Sequence, residues 1–329
     1  MKRGEAMGDL VRLDVSGLVP PVVSELGRKA ERKFVEFFTA HLRNDHTRRA
    51  YAHAAAQLSE WLASSGMSLA ELEPPEAAAY IRTLEAQGKA PTTIKARLSA
   101  LSNLCDYLAS SGVLDWNPFK VVRGPRVSMR EGQTPVLEPE MVRALLDSFE
   151  ADDVVTLRNR AIVSTMLFSF ARVGAVTKLD GRHYELQGMK ASLLLHEKRG
   201  KKTRVPCHHE LREVIDAFVE RSPAGPRTPL FRSVDRSLGE DGERQLTRRR
   251  LKASNVLKMV KRRCAAVGID PVLVCNHSFR ASGITAYMAG GGSIETAAEI
   301  AGHASTETTK LYDRTAKVVS RSEVERIRF

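Results

Sequence analysis

NPFKVVRGPRVSMREGQTP, residues 117–135, is the stretch on which the reading of the rest of the chain turns. It holds Pro118, Pro125 and Pro135 with Gly124 and Gly132, so no regular helix or strand runs through it. Lys120, Arg123, Arg126 and Arg130 are interleaved with these breakers. Such a segment reads as a linker between domains, and its cations also suit a strap laid along a phosphate backbone. A solvated linker with incidental charge is the plainer alternative.

Upstream, the apolar pattern over 29–118 is helical throughout. Phe34, Val35, Phe37, Phe38 and Leu42 recur at helix spacing, and Thr47 can cap a helix holding Tyr51, Leu58, Trp61 and Leu62. Pro74-Pro75 opens a helix carrying Ala78, Ile81 and Leu84, which Gly88 ends. Another runs from Pro91 through Ile94, Leu98, Leu101, Leu104 and Leu108 to Gly112. Strand signals are nearly absent, so 29–118 predicts a compact helical domain. Residues 1–28, with little periodicity and Pro20-Pro21, predict an extended or loosely packed arm.

Downstream of the linker (119–135), the span 136–329 predicts a second, mainly helical domain. Helices are expected near 139–150, 156–170, 208–220, 251–266, 278–289 and 294–301. Tyr184–Leu186, Ser192–His196 and Thr203–Cys207 predict one small antiparallel sheet, with the basic turn Lys198-Arg199-Gly200-Lys201-Lys202 between its last two strands. No repeat interrupts this order.

Composition narrows the class. A 43% hydrophobic content builds ordinary cores, and no apolar run is long enough for a membrane span. Without an apolar segment near the N-terminus, secretion is not expected, and a cytoplasmic protein is. Cys105, Cys207, Cys264 and Cys275 show no paired spacing, so neither a disulfide frame nor a zinc site is expected. Fifty-one Lys and Arg against thirty-nine Asp and Glu give +12, which favours a polyanionic partner or, more blandly, a soluble surface.

The chemistry-bearing residues are ordered along the second domain. Breaking a phosphodiester needs a nucleophile, cations for the nonbridging oxygens and an acid for the leaving oxygen. Arg172 follows an apolar helix, Lys198 lies in the basic turn, and His277 and Arg280 stand three apart on one helix face. His303 follows Gly302, and Tyr312 comes nine residues later. Each alone is weak: His-x-x-Arg also occurs at His46/Arg49, His196/Arg199 and His209/Arg212.

The ordered set resembles that of the tyrosine recombinase (phage integrase) family, and the layout resembles it from Lys29 to Tyr312. The resemblance implies a mainly α fold: a helical core-binding domain plus an α-rich catalytic domain with a small sheet, forming a clamp around duplex DNA. It implies that Tyr312 is the nucleophile of a 3′-phosphotyrosyl intermediate. Arg172 and Arg280 would grip the phosphate, His277 accept the phenol proton, Lys198 protonate the leaving 5′ oxygen and His303 donate a hydrogen bond. Lys201 and Lys202 stand beside Lys198 and compete for its role. No metal, ATP or other cofactor is implied; a homotetramer on paired sites is. The family often has an acid three positions after its first arginine. Ala175 stands there, so the carboxylate holding Arg172 must come from elsewhere, with Asp180 suggested.

The remaining cations are candidate DNA contacts. In the second domain they are Arg248, Arg249, Arg250, Lys252 and Lys258, expected on a helix. In the first they are Arg43, Arg48, Arg49, Lys89, Lys95 and Arg97, with Thr92 and Thr93 at a helix start. Lys120, Arg123 and Arg126 of the linker join them. Cys207-His208-His209 predicts a strand end and helix start with exposed histidines, not a metal site. The apolar tail Val318, Val319, Val324 and Ile327 predicts docking on its own domain or on a neighbouring protomer. Rival readings are a type IB topoisomerase and a non-catalytic DNA-binding protein on the same fold.

Overall fold

The computed structural model describes residues 19–126, 134–150, 153–197, 200–238, 244–303 and 305–312. The chain divides into two compact units, 1–128 and 129–329.

The described part of the first unit is all helical: α1 (Pro21–Ser24), α2 (Arg28–Glu36), α3 (Asp45–Ser64), α4 (Pro74–Ala86) and α5 (Pro91–Ser110). A π-helical turn, Phe37–His41, prolongs α2. Asn44, not Thr47, caps α3, because its Oδ1 accepts from the otherwise unpaired N–H groups of His46 and Thr47 at 2.9 and 3.2 Å. Pro74 and Pro91 begin their helices where a missing N–H costs nothing. Apolar stripes from all five helices close one core, around Phe37, Leu62, Tyr80, Ile94, Leu101 and Leu108. The expected arm, extended or loosely packed, does not hold for 19–28: Pro21 starts a helical turn, and Val19, Val22 and Val23 are buried in the core, while 1–18 lie outside the described residues. The linker also begins as part of this unit, since Phe119 is buried in the same core and Lys120 pairs with Asp106 at 3.6 Å.

The second unit is built around α7 (Val154–Phe168), which follows α6 (Pro139–Asp147) and is buried over most of its length. Asp153 caps α7 through the N–H groups of Val155 and Thr156. After α8 (Val173–Val176) come β1 (Tyr184–Gln187), β2 (Lys190–His196) and β3 (Lys202–Pro206), an antiparallel sheet in that order. Leu193 and Leu195 turn into the core while their neighbours face out, the alternation a one-sided sheet requires. Then come α9 (His209–Arg221) and an unexpected ribbon, β4 (Arg232–Leu238) with β5 (Arg244–Arg250). The basic run from Leu246 was expected on a helix. Its cations obscured a strand, β5, that carries Arg248, Arg249 and Arg250 and in which Leu246 packs inward opposite Val234; the helix expected near 251–266 follows as α10 (Ala253–Ala266). The last elements among the described residues are α11 (Asn276–Ala289), α12 (Ile294–Ile300) and α13 (Thr306–Lys310). No described helix is long and apolar enough to cross a membrane.

Candidate active site

Five segments of the second unit converge: the turn after α7, the hairpin after β2, α11, the loop after α12, and the end of α13. The turn after α7 depends on Phe170, whose φ of 50° is left-handed, uncommon for a bulky side chain. That bend aims the Phe170 carbonyl at Arg280 and releases Arg172 to the start of α8. α11 reaches the turn because Gly283 has no side chain: a Cβ there would meet the Leu167 carbonyl oxygen at 2.2 Å and the Phe170 ring at 3.0 Å.

Arg280 is 1% exposed. Nη1 donates to the Phe170 carbonyl, and Nη2 donates to Ala301 O at 2.6 Å and to His303 Nε2 at 2.5 Å. Its Nε is buried and has no hydrogen-bond partner among the described residues. Burial pulls the guanidinium pKa down to about 10, with Arg172 adding repulsion and Glu197 and the Tyr312 phenol opposing it.

Because Arg280 can only donate, His303 Nε2 accepts, and Nδ1–H donates to Thr309 Oγ1 at 2.7 Å. Burial, then Arg280, Arg172, His277 and Lys201, lower the His303 pKa to about 4, so the ring is neutral at physiological pH. In this arrangement the ring serves Arg280. Donation from Nε2 to a phosphate, the expected role, requires the pair to part.

Tyr312 is 8% exposed and stacks on His303, with ring centroids 6.0 Å apart and planes 10° from parallel. It is held from its own protomer: its carbonyl accepts from Thr285 Oγ1 on α11 at 3.0 Å, and its N–H bonds Thr309 O at 2.9 Å. It belongs to one buried apolar cluster with Phe170, Ala281, Ile284, Ala297 and Ala301.

Arg172 pairs with Glu197, Nη1 to Oε2, at 2.5 Å. Asp180, the suggested partner, instead binds Arg250, whose Nη1 also reaches the carbonyls of Thr177 and Leu179 at 2.9 and 3.1 Å. Lys198 lies outside the described residues. Lys201 is exposed, and its charge reaches His303.

The other expected contacts separate by what they touch. Arg43, Arg49, Lys89, Thr92, Thr93, Lys95, Arg123, Arg126, Arg248, Arg249, Lys252 and Lys258 are exposed. Arg48 is engaged with Leu42 O and Asp45, and Arg97 is half-buried beside Tyr80. His208, His209 and Glu210 are exposed and bring potential ligand atoms within 4.8 Å of one another, with Phe168 stacked on His208. Glu197, Thr285 and Thr309 were not singled out in the sequence. An acid next to the basic turn was the one available signal.

Residues 135–318 match the Phage integrase family, and residues 35–112 match its N-terminal SAM-like domain. The chain belongs to the phage integrase family. This integrase-family chain is 26% identical over 292 residues to tyrosine recombinase XerD of Brucella suis, covering 84% of this chain and 90% of the relative. It is 25% identical over 285 residues to tyrosine recombinase XerC of Pseudomonas putida, with 84% and 90% covered. It shares its fold with XerH recombinase in a post-cleavage complex on difH (TM-score 0.64, 18% identity, 94% and 90% covered). The same holds for a lambda integrase tetramer on a Holliday junction (TM-score 0.65, 15% identity, 89% and 79% covered).

Proposed function

We propose that this chain is a site-specific recombinase that cleaves and rejoins duplex DNA through a covalent bond to Tyr312. One observation carries the reading: the phenol of residue 312, two guanidiniums and a neutral imidazole meet in a single protomer, with a buried guanidinium donor left over.

The Tyr312 oxygen attacks the scissile phosphorus, giving up its proton to His277. The phosphorus–O5′ bond breaks as O5′ takes a proton, leaving a 3′-phosphotyrosine that conserves the bond energy for a 5′ hydroxyl of a second strand. Arg172 and the spare donors of Arg280 hold the nonbridging oxygens, where planar guanidiniums match phosphate geometry. Lys198 is the proposed acid, with Lys201 its competitor. The exposed cations of both units grip the duplex, and exchange takes place in a homotetramer on paired sites. All four cysteines are free thiols, in keeping with a cytoplasmic location.

The test traps protein on a nicked suicide substrate made from native flanking DNA. Wild type forms a covalent adduct; Tyr312→Phe binds DNA and forms none. A Tyr312→Phe adduct, or no wild-type adduct, ends the proposal. Lys198→Ala cleaves slowly, and a 5′-bridging phosphorothiolate, whose sulfur leaves without an acid, restores its rate. If Lys201→Ala is the variant so rescued, the acid is Lys201.

A further inference from the structure

We propose that Glu197 is the positioning residue of this centre, holding Arg172 in the orientation from which it grips the scissile phosphate. The inference rests on the recombinase reading and adds to it a residue that chain order did not disclose. Ala175, at the position where the family often has an acid, is buried and apolar. The carboxylate arrives instead from the end of β2.

Three contacts define what Glu197 does. Its Oε2 binds Arg172 Nη1, its backbone N–H donates to Lys201 O at 2.7 Å and closes the basic hairpin, and its Cγ lies against Gly302. A Cβ on Gly302 would come within 3.4 Å of that Cγ and of Thr203 Oγ1, and the φ of +62° there already favours glycine. One residue thus joins the Arg172 turn, the hairpin bearing the candidate acids and the segment leading into His303.

The asymmetry of burial argues for orientation over mere stability. The Glu197 side chain is 4% exposed and that of Arg172 is 25% exposed. The carboxylate is enclosed, while the guanidinium keeps an open side. Burying an ion pair is a poor source of net stability, because desolvation consumes most of the attraction. What such a pair supplies is direction: a fork with one edge fixed presents the other edge to an incoming oxygen at reduced entropic cost.

The carboxylate also competes with phosphate for the same cation, and this separates positioning from a general loss of structure. Glu197→Gln keeps a hydrogen-bond acceptor and removes the charge. It is expected to slow single-turnover adduct formation about a hundredfold, the effect of a misplaced group near the reacting atoms. DNA affinity, measured with Tyr312→Phe as background, should hold or tighten. Glu197→Asp, charged but one methylene shorter, should fall between wild type and Glu197→Gln. In an Arg172→Ala background the Glu197→Gln change should cost nothing further.

Wild-type cleavage rates for Glu197→Gln, or additive losses in the double variant, overturn the inference. So does rescue of Glu197→Gln by the 5′-bridging phosphorothiolate, which would route its effect through the leaving-group acid. Should Glu197→Gln melt at the assay temperature, a Glu197→Asp variant that is folded and as fast as wild type decides against it. Absence of a wild-type adduct, by contrast, speaks against the recombinase reading itself.

Discussion

Arg158 and Arg280 are both buried in the second unit, and burial holds both guanidiniums down to about 10. Around Arg158 the protein supplies its own ending. Nε and Nη2 converge on Asn159 Oδ1 at 3.2 and 2.6 Å, and Nη1 donates to Arg232 O at 2.7 Å. Around Arg280 the hydrogen bonding is incomplete: a second cation repels it, a phenol stands by, and the buried Nε finds no partner among the described residues. An unpartnered Nε is not sufficient by itself, since Arg48, Arg160 and Arg232 have one too. The combination of spare donor, repelling cation and nearby phenol is what the proposed phosphate site needs. The Arg158 region is complete as it stands.

The sharpest way to break this contrast is to weaken both guanidiniums. Arg280→Lys should lower the single-turnover cleavage rate about 100- to 1,000-fold, the cost of losing a preorganised donor at a developing charge. Arg158→Ala should leave cleavage per folded molecule within about twofold. It should cost about 2–4 kcal/mol of stability, because Asn159 Oδ1 and Arg232 O lose their buried donor. Adduct kinetics beside urea denaturation read the two effects separately. Comparable cleavage losses would show that Arg158 is not confined to the fold.

A second test moves the platform rather than the charge. Gly283→Ala drives a methyl group into the Leu167 carbonyl, so α11 must lift and take Arg280 with it. The expected cost is about 1–3 kcal/mol from overpacking and about tenfold or more in cleavage. Gly290→Ala, at the end of the same helix, meets nothing closer than 3.4 Å and should change either measure little. Equal effects from the two substitutions would mean that the tight approach at Gly283 does not place Arg280.

How far these regions were legible in the sequence follows from the range of the interactions that make them. Arg172, His277, Arg280, His303 and Tyr312 stood out because side-chain chemistry and chain order are local facts. The helices were legible where apolar residues recur at fixed spacing, as from Ile94 to Leu108. Glu197 was not, because its pairing with Arg172 joins positions 25 residues apart across a hairpin. The β4–β5 ribbon was missed because RQLTRRR carries one aliphatic side chain among cations, so its alternation has almost no hydrophobic signal. The packing of Val19, Val22 and Val23 was missed because a short apolar cluster next to two prolines looks the same in an arm as in a core.

Acid separates the two regions more gently. The hydrogen-bond partners of Arg158 are an amide and a carbonyl, which do not titrate, and Asp153 is the carboxylate acting on its charge, while His303 has a pKa lowered to about 4 by burial and by Arg280. Unfolding returns the ring to about 6.5, so below that value the unfolded chain binds the extra proton and folding loses stability. The contribution is complete above pH 6.5 and falls away as the pH drops toward 4, by roughly 3 kcal/mol at most. Urea denaturation of wild type and His303→Gln across that window should show a steeper decline for wild type. Parallel declines would remove His303 from the acid response.

The smallest effect concerns two neighbours on β5 that share a charge and differ in what they touch. Arg250 is committed to Asp180 and to the carbonyls of Thr177 and Leu179, whereas Arg249 is exposed and, among the described residues, its backbone N–H is tied to Thr247 Oγ1. If exposed cations supply the grip on DNA, each contact releases counterions, and losing one lowers the salt slope of binding by about 0.9. Arg249→Ala should therefore flatten that slope by about 0.9 with an unchanged melting transition. Arg250→Ala should leave the slope alone and cost about 1–3 kcal/mol of stability through the unpaired carbonyls. The reverse result, a slope change from Arg250 alone, would mean that its contacts within the fold give way to phosphate when DNA binds. An arginine with filled donors could then no longer be classed by the company it keeps in the free protein, and the contrast between Arg158 and Arg280 would weaken with it.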